Sequence, residues 1–479
     1  MSVLTDEHLQ ADQAHFDSAW EARERARTTL NNMAGAAAGP RAGARDVAKG
    51  GRRLAENLGD SSDAIAFGRI DDGEELTYVG KHVITNTDRD VVVVSWKSTA
   101  AVPYYKATVN DPLGLVSRRA FQTKGNKVLG FEETVFRDLE ARVQELTESE
   151  LIAIDDTLLK DLDKDRSNEM RDIVQTIHAT QYHLIERPVN ELLVVQGGPG
   201  TGKTAVALHR VSWLLYNHSD TLVPEDVLVI GPNRAFTQYI RSVLPALGDR
   251  AVKHVDLRRL GPQSSTGRRE DPETTKLKGE RRMADLVAQA LRKRVRPPTE
   301  KEVRIDTSLG ARAIQAKGLV DGIARLRNVP YAAGRNSLRT LMDGAIRATP
   351  GRPTAEAASL DSALDRIWPS LTAPRFIQEL LASRQRLMAA AGDQFTARDI
   401  DRLYRPPAAN LGTEEWSDVD VALVDEADWL INGSKRRADH IVIDEAQDLS
   451  PMQLRSAARR SSNGSFTVVG DVAQSTGWW

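Results

Sequence analysis

Hydrophobic and polar residues follow two periods along this chain, and the changes between them divide it into five regions. Residues 4–33 contain no Gly or Pro and set Leu9, Phe16, Trp20 and Ala26 among Glu, Arg and Gln, which predicts an amphipathic helix. The Ala-, Gly- and Arg-rich stretch 35–51 has to turn, and 52–58 reads as a returning helix, giving a helical arm over 1–60. Period-two, β-branched runs follow at 64–70, 76–80 and 91–96, separated by Asp-Gly and Asn-Thr-Asp turn signals. They predict a small antiparallel β region over 61–135. From 132 to 187 the spacing becomes helical, with Leu139, Val143, Leu146, Leu158, Leu162, Ile173, Ile177 and Leu184 three and four apart or in multiples of that step.

Four successive apolar residues at 192–195 then predict a buried strand, followed by a glycine turn and a helix running through His209 and Trp213 to Tyr216. A second apolar strand at 227–230 closes on Gly231-Pro232-Asn233. This βαβ alternation predicts an α/β fold with a parallel sheet. Its first part spans 136–249 and its second 436–479. Between them, 250–435 reads as a mostly helical insertion, with helical spacing around 286–291, 338–346 and 376–387 and a Pro/Gly-rich loop at 349–353.

Composition narrows the class without naming a function. At 479 residues the chain has room for about three domains. It is 28% charged and 41% hydrophobic, in the ordinary globular range. No apolar run approaches the ~18 residues that a membrane span needs, and the polar, acidic N-terminus does not read as a secretory signal. With no cysteine there is neither a disulfide scaffold nor a thiolate metal site, which fits a cytoplasmic protein. The net charge of −2 gives no overall pull towards nucleic acid, although the insertion opens with a basic cluster: Lys253, Arg258, Arg259, Arg268, Arg269, Arg281 and Arg282. Aromatic residues that would stack on single strands are sparse there.

The chemistry is concentrated in the glycine turn. Gly197-Gly198-Pro199-Gly200-Thr201-Gly202-Lys203-Thr204 meets every fixed position of G-x-x-x-x-G-K-[ST], between a strand and a helix. Glycines let the backbone curl so that successive N–H groups point at phosphate oxygens, and the helix N-terminus adds its dipole. Lys203 would reach the β- and γ-phosphates, and the Thr204 hydroxyl would complete a Mg²⁺ shell. The expected ligands are ATP and Mg²⁺.

Two later stretches compete to face that loop. Val421-Ala422-Leu423-Val424-Asp425-Glu426-Ala427-Asp428 and His440-Ile441-Val442-Ile443-Asp444-Glu445-Ala446-Gln447-Asp448 both run from apolar residues into Asp-Glu. The second is uniformly apolar and branched, as a central parallel strand requires, and a further strand follows it, 466–470, ending in Asp471 and Gln474. The first continues into Trp429-Leu430-Ile431 and reads as helical core bordering the insertion. On this choice Asp444 anchors Mg²⁺, usually through water, Glu445 acts as general base on the attacking water, and Gln474 orients the γ-phosphate.

Taken together these motifs resemble the first motor domain of the UvrD/Rep group of superfamily 1 helicases, a RecA-like P-loop NTPase domain. Asp444-Glu445-Ala446-Gln447-Asp448 with Gln453, and Gly470-Asp471 with Gln474-Ser475, match that group's motifs. The resemblance implies that Gln181, sixteen residues before Gly197, reads the adenine edge, that Gly231-Pro232-Asn233 touches nucleic-acid backbone, and that Trp479 stacks on a base. Gly477 stands where the group usually has tyrosine. A closer likeness is to the HelD-type motors that recycle RNA polymerase, carried by Phe67-Gly68-Arg69-Ile70, Tyr78-Val79-Gly80, Trp96, Pro103-Tyr104-Tyr105, Arg118-Arg119, Phe236, Tyr239, Trp416 and Asp425-Glu426-Ala427. It implies RNA polymerase as partner, with the arm entering the secondary channel and the insertion reaching towards the primary one. Nucleic acid stays open as an alternative partner, in a DNA helicase or translocase. In the resembled motors a second RecA-like domain supplies arginines worth about 10³–10⁵ in rate. None follows Trp479 here, so weak hydrolysis by this chain in isolation, or an ATP-gated binding protein, is the further expectation.

Overall fold

A computed structural model describes residues 2–36, 48, 50–51, 54–55, 58–108, 110–136, 177–232, 236, 240, 244, 251–263, 266–433 and 437–475. The turn of the arm, the helical spacing over 137–176, Asn233, Tyr239, Gly477 and Trp479 lie outside them. The chain divides into two compact units, the first drawn from Met1–Val189, Gly202–Pro224 and Arg241–Val252, the second from Asn190–Thr201, Glu225–Ile240 and Lys253–Trp479.

In the first unit the arm is one helix, Ser2–Ala36, and Ala48, Gly50, Gly51, Leu54 and Ala55 lie in returning helical turns. The approach is close: a β-carbon built on Gly51 would stand 3.2 Å from the Ala34 β-carbon. The arm is rooted on a six-stranded sheet of β1 (Gly68–Asp71), β2 (Leu76–Gly80), β3 (Ile84–Thr85), β4 (Val91–Ser95), β5 (Ser117–Lys124) and β6 (Lys127–Val135), in the order β3-β4-β2-β1-β5-β6. Phe16 of the arm meets Tyr78 and Phe121 edge-on. Beside it the buried Asp12 carboxylate accepts from Arg69 at 2.7 Å, Arg119 at 2.9 Å and the Tyr78 hydroxyl at 2.7 Å. A buried charge is tolerable only when so fully paired, so this triad fixes the register of the arm on the sheet. The sheet is mixed rather than antiparallel throughout, because β2 pairs β4 in parallel, Val79 opposite Val94. Glu132, read as the start of a helical region, belongs to β6.

A second core in this unit gathers Phe67, Trp96, Tyr104, Tyr105, Phe136, Tyr182, Ile185 and Val206. Gly68 leaves room for Tyr104, whose ring would stand 2.1 Å from a β-carbon at that position. Helix Lys203–Asn217 belongs here. His209 meets Trp96 edge-on, Asn217 donates to the Lys97 carbonyl at 2.9 Å, and the buried Arg210 donates to the carbonyls of Leu184, Ile185, Arg187 and Pro188.

The second unit is built on a five-stranded, wholly parallel sheet: β7 (Leu192–Gln196), β8 (Val227–Gly231), β9 (Lys253–Asp256), β12 (His440–Ile443) and β13 (Phe466–Gly470), ordered β7-β13-β12-β8-β9. Every residue of β12 is buried, as its branched sequence predicts. β7 differs from expectation. Among the described residues it pairs on one side only, with β13, and Leu192 and Val194 are 62% and 64% exposed, so an apolar run that reads as a buried strand is here an edge strand with one buried residue, Val195. The sheet also takes in β9, beyond the expected start of the insertion at 250.

The insertion is mostly helical: Pro272–Gly279, Arg282–Arg292, Ala316–Arg325, Tyr331–Arg347, Ala357–Ile367, Ala373–Leu381, Arg384–Ala391, Ala397–Leu403 and Asp418–Asn432 among the described residues. A hairpin of β10 (Glu302–Ile305) and β11 (Arg312–Gln315) interrupts it, burying Val303, Ile305 and Ile314 and exposing Glu302, Arg304 and Gln315. The apolar spacing over 376–387 is two helices, because Ala382 and Ser383 separate them. Helix Asp418–Asn432 runs through the insertion core with Leu423, Val424 and Ala427, beside Trp416, Phe376 and Leu338. Helix Pro451–Ala458 touches both cores, placing Met452 in that of the insertion and Ala457 in that of the sheet.

Candidate functional site

The glycine turn leaves the end of β7 at Gln196. Gly197 donates its N–H to the Gly470 carbonyl at 3.4 Å, tying the start of the turn to β13. Gly200 and Gly202 have φ values of 75° and 79°, the left-handed region in which a β-carbon is strained, and the Thr201 hydroxyl closes the curl on the Gly198 carbonyl at 2.9 Å. A β-carbon at Gly198 or Gly200 would meet nothing within 4 Å, so their freedom serves the backbone path and an open concavity rather than internal packing. Lys203 and Thr204 open helix Lys203–Asn217, whose first N–H groups have no acceptor inside the helix. Such a cradle of amides suits a polyphosphate.

Gln181 lies on the short helix Ala179–Ile185, where its Oε1 accepts from the His178 N–H at 3.2 Å in a capping box. Its Nε2 stands 3.1 Å from the position a β-carbon on Gly202 would take, so the residue assigned to adenine is brought to the end of the phosphate loop.

At the other end of the chain, β12 delivers Asp444 and Glu445. Asp444 is buried, donates its N–H to the Ile230 carbonyl at 3.0 Å and accepts the Glu445 N–H at 2.9 Å. Glu445 has φ 50° and ψ 44°, a left-handed conformation costly for a residue with a long side chain and typical of functional sites. Its Oε2 accepts from Gln447 Nε2 at 2.6 Å. Gln447 in turn accepts the Asp471 N–H at 2.9 Å, and its carbonyl accepts the Ser475 hydroxyl at 3.0 Å. Gly470 permits this approach, since a β-carbon there would lie 2.6 Å from Gln447 Oε1. Asp471 is the hub: its carboxylate accepts from Gln196 Nε2 at 3.2 Å, Gln474 Nε2 at 2.8 Å and the Ala473 N–H at 3.0 Å.

Glu445 and Gln474 are thus joined, through Gln447 and Asp471, across the ends of β12, β13 and β7. Gln196, Gln447 and Asp471 carry this network; Gln447 and Asp471 match motif residues to which the sequence reading assigns no role, and it does not single out Gln196, at the end of β7, at all. Asp444 and Glu445 are separated from the loop strand by β13. Gln453, matched as a motif residue, accepts the Ser450 N–H at 2.9 Å and caps a helix. Asp425 and Glu426 lie in helix Asp418–Asn432, not at a strand end, in agreement with the sequence reading.

Among the described residues no group of three His, Asp or Glu side chains could hold a metal unaided. One hydroxyl, Thr204, and one carboxylate, Asp444, are hard oxygen donors suited to Mg²⁺, which keeps much of its shell from water and phosphate. No described helix is long and apolar enough to cross a membrane.

Comparison with known families places two matches on the chain. Residues 9–166 match the N-terminal domain of DNA helicase IV HelD, and residues 180–477 match an AAA domain. Comparison with curated proteins found no match. The second match spans more than half of the sequence and takes in both the glycine cradle and the β12–β13 network. The chain is therefore an ATP-binding, ATP-hydrolysing member of the AAA-domain family that carries a HelD-type domain ahead of its P-loop ATPase core.

Proposed function

We propose that this protein is a motor ATPase that binds bacterial RNA polymerase and couples ATP hydrolysis to its release. The observation that carries the reading is the HelD-type N-terminal domain joined to a P-loop ATPase domain in one chain. The way helix Lys203–Asn217 packs supports it. The helix that starts with the phosphate lysine is held by Trp96, by the Lys97 carbonyl and by the carbonyls of 184–188, inside the unit that also roots the arm. A change at Lys203 on nucleotide binding then has a packed route to the arm.

In this mechanism the backbone amides of 198–202 and Lys203 hold the phosphates, and Gln181 contacts the base. Thr204 and Asp444 would hold Mg²⁺. Glu445 takes a proton from the attacking water, and Gln474, released from Asp471, orients the γ-phosphate. A pull-down with core RNA polymerase tests the partner. Binding should require residues 2–58 and should fall when ATP replaces a non-hydrolysable analogue; no capture by the full chain overturns the proposal. The matched family's own description names a DNA helicase, which favours a second reading as a DNA translocase. ATPase stimulation by single-stranded DNA, with no polymerase capture, would select it.

A further inference from the structure

The second acidic pair, Asp425–Glu426, has no place in the mechanism above, yet it is among the most elaborately bonded groups of the second unit. Both residues are buried on helix Asp418–Asn432. Glu426 accepts a two-pronged bond from Arg455, Nε at 2.8 Å and Nη2 at 3.2 Å, and a further bond from Arg459. Asp425 accepts from the Ser456 hydroxyl at 2.6 Å, from Arg460 at 2.7 Å and from Arg459. Trp429, three residues beyond Glu426, lies 5.8 and 5.7 Å from the Arg455 and Arg459 guanidinium carbons. Arg460 also donates to the carbonyls of Ser456 and Leu260.

All three arginines lie on helix Pro451–Ala458 or directly after it. That helix is the continuation of the catalytic strand. Only residues 446–449 separate its Ser450 cap from Glu445, and they include Gln447, the residue bonded to both Glu445 and the Asp471 N–H. Met452 anchors the same helix in the insertion core, and Ala457 anchors it in the sheet core. A buried ion cluster is a poor way to gain stability compared with apolar packing, and a good way to hold two elements in one register. These directional bonds to arginine forks and a hydroxyl would fail together if the helices slid by even one residue.

We propose that the Asp425–Glu426 clamp is a positioning device for hydrolysis: it fixes helix Pro451–Ala458 against the insertion and thereby sets where Gln447 and Glu445 stand. An insertion displaced by whatever it binds would move the clamp, and turnover would change without any change in nucleotide contacts. This rests on the reading of Glu445 as the water-activating residue. Arg455, Arg459 and Glu426 are positioning residues, since they act through Gln447 and touch no reacting atom.

The test is ATP turnover by the full chain, with nucleotide affinity read separately from a fluorescent ATP analogue. Arg455→Lys keeps the charge and loses the fork. Together with Glu426→Gln, it should lower kcat about 10–100-fold, the scale of a misplacement near 1 Å, while KM and analogue affinity stay within about twofold. Both variants are checked for a cooperative melt, and Arg455→Lys, at a partly exposed position, decides if Glu426→Gln does not fold. Unchanged kcat in the folded variants overturns the proposal. So does a fall in kcat matched by an equal loss of nucleotide affinity, which marks a merely structural role. Glu445→Gln separates the two layers. If it is inactive while Arg455→Lys is normal, the positioning role fails alone; if it retains full turnover, the reading of Glu445 fails and the clamp's role with it.

Discussion

Two stretches of this chain share the letters Asp-Glu-Ala after an apolar run, and the fold uses them in opposite ways. At 425–427 they lie inside a helix capped by Ser417 and Asp420, with Val424, Ala427 and Ile431 facing the insertion core. At 444–446 they lie where β12 ends and the backbone turns left-handed. In the helix both carboxylates are surrounded by arginines. At the strand end Glu445 takes its bond from a neutral amide, Gln447. The difference teaches that an acidic motif acquires chemical meaning from what neutralises it. A carboxylate locked between guanidinium groups is a fastener, whereas one bonded to a neutral amide fits the proposed role of proton acceptor.

The sharpest way to break this contrast is to remove one carboxyl from each pair. Glu445→Gln should lower kcat by about 10²–10⁴-fold, as for the loss of a general base, with a melting curve close to the parent's. Glu426→Ala should act first on stability, with a kcat loss smaller than that of Glu445→Gln. Leaving the partly exposed Arg455 and Arg459 without the buried carboxylate should cost up to about 3 kcal/mol of stability, measured by urea unfolding. If Glu445→Gln destabilised and Glu426→Ala did not, the two assignments would have to be exchanged.

The pH dependence of stability separates the fastener from other titrating groups. Burial raises the Asp425 pKa, but the hydrogen bond and charge of Arg460, then Arg459 and Ser456, hold it below the ordinary 3.8. Its contribution is therefore fully present above pH 3.8 and is lost only as pH falls further, through its folded value. His209 titrates in a different window. Burial lowers its pKa from 6.5 to about 4, against the opposing bond to the Ala205 carbonyl. The unfolded chain then binds the extra proton first, so stability is full above pH 6.5 and declines as pH falls towards 4, by about 3 kcal/mol at most. His209→Phe should flatten the profile between 6.5 and 4 and leave the limb below 3.8, whereas Asp425→Asn should alter only that lower limb.

The smallest effect is expected at the cradle. Gly202→Ala forces a β-carbon into a left-handed position, at roughly 1–2 kcal/mol, and crowds Gln181. Nucleotide affinity measured by titration should weaken about tenfold, with a smaller change in kcat.

How far the amino acids announce this arrangement depends on whether a feature is local. The glycine turn and the choice between the acidic pairs are legible because each rests on neighbouring residues: branched His440–Ile443 against the helix-forming Ala422 and Leu423, and Leu449-Ser450-Pro451 breaking the chain where Trp429-Leu430-Ile431 carries it on. The exposure of β7 is not legible, since Leu192–Val195 looks the same at a sheet edge as at its centre and only the strand order decides. The parallel pairing of β2 with β4 depends in the same way on a return path. The β10–β11 hairpin hides behind charged residues that alternate with only three buried ones. The Gln447–Asp471 bond and the arginine clamp join segments whose proximity is set by the whole sheet.

Arg210 has a practical consequence. Its guanidinium collects the carbonyls of four residues just upstream of β7, and the neighbouring His209 leans on Trp96. The gap between the two family matches, after residue 166 and before 180, is thus not a seam along which the protein can be taken apart. A truncation begun at 190 would strand a guanidinium without its collar, and one begun at 180 would strip the tryptophan from above the imidazole. Chimeras that exchange the N-terminal domain between relatives should therefore carry helix Lys203–Asn217 with it, phosphate lysine included.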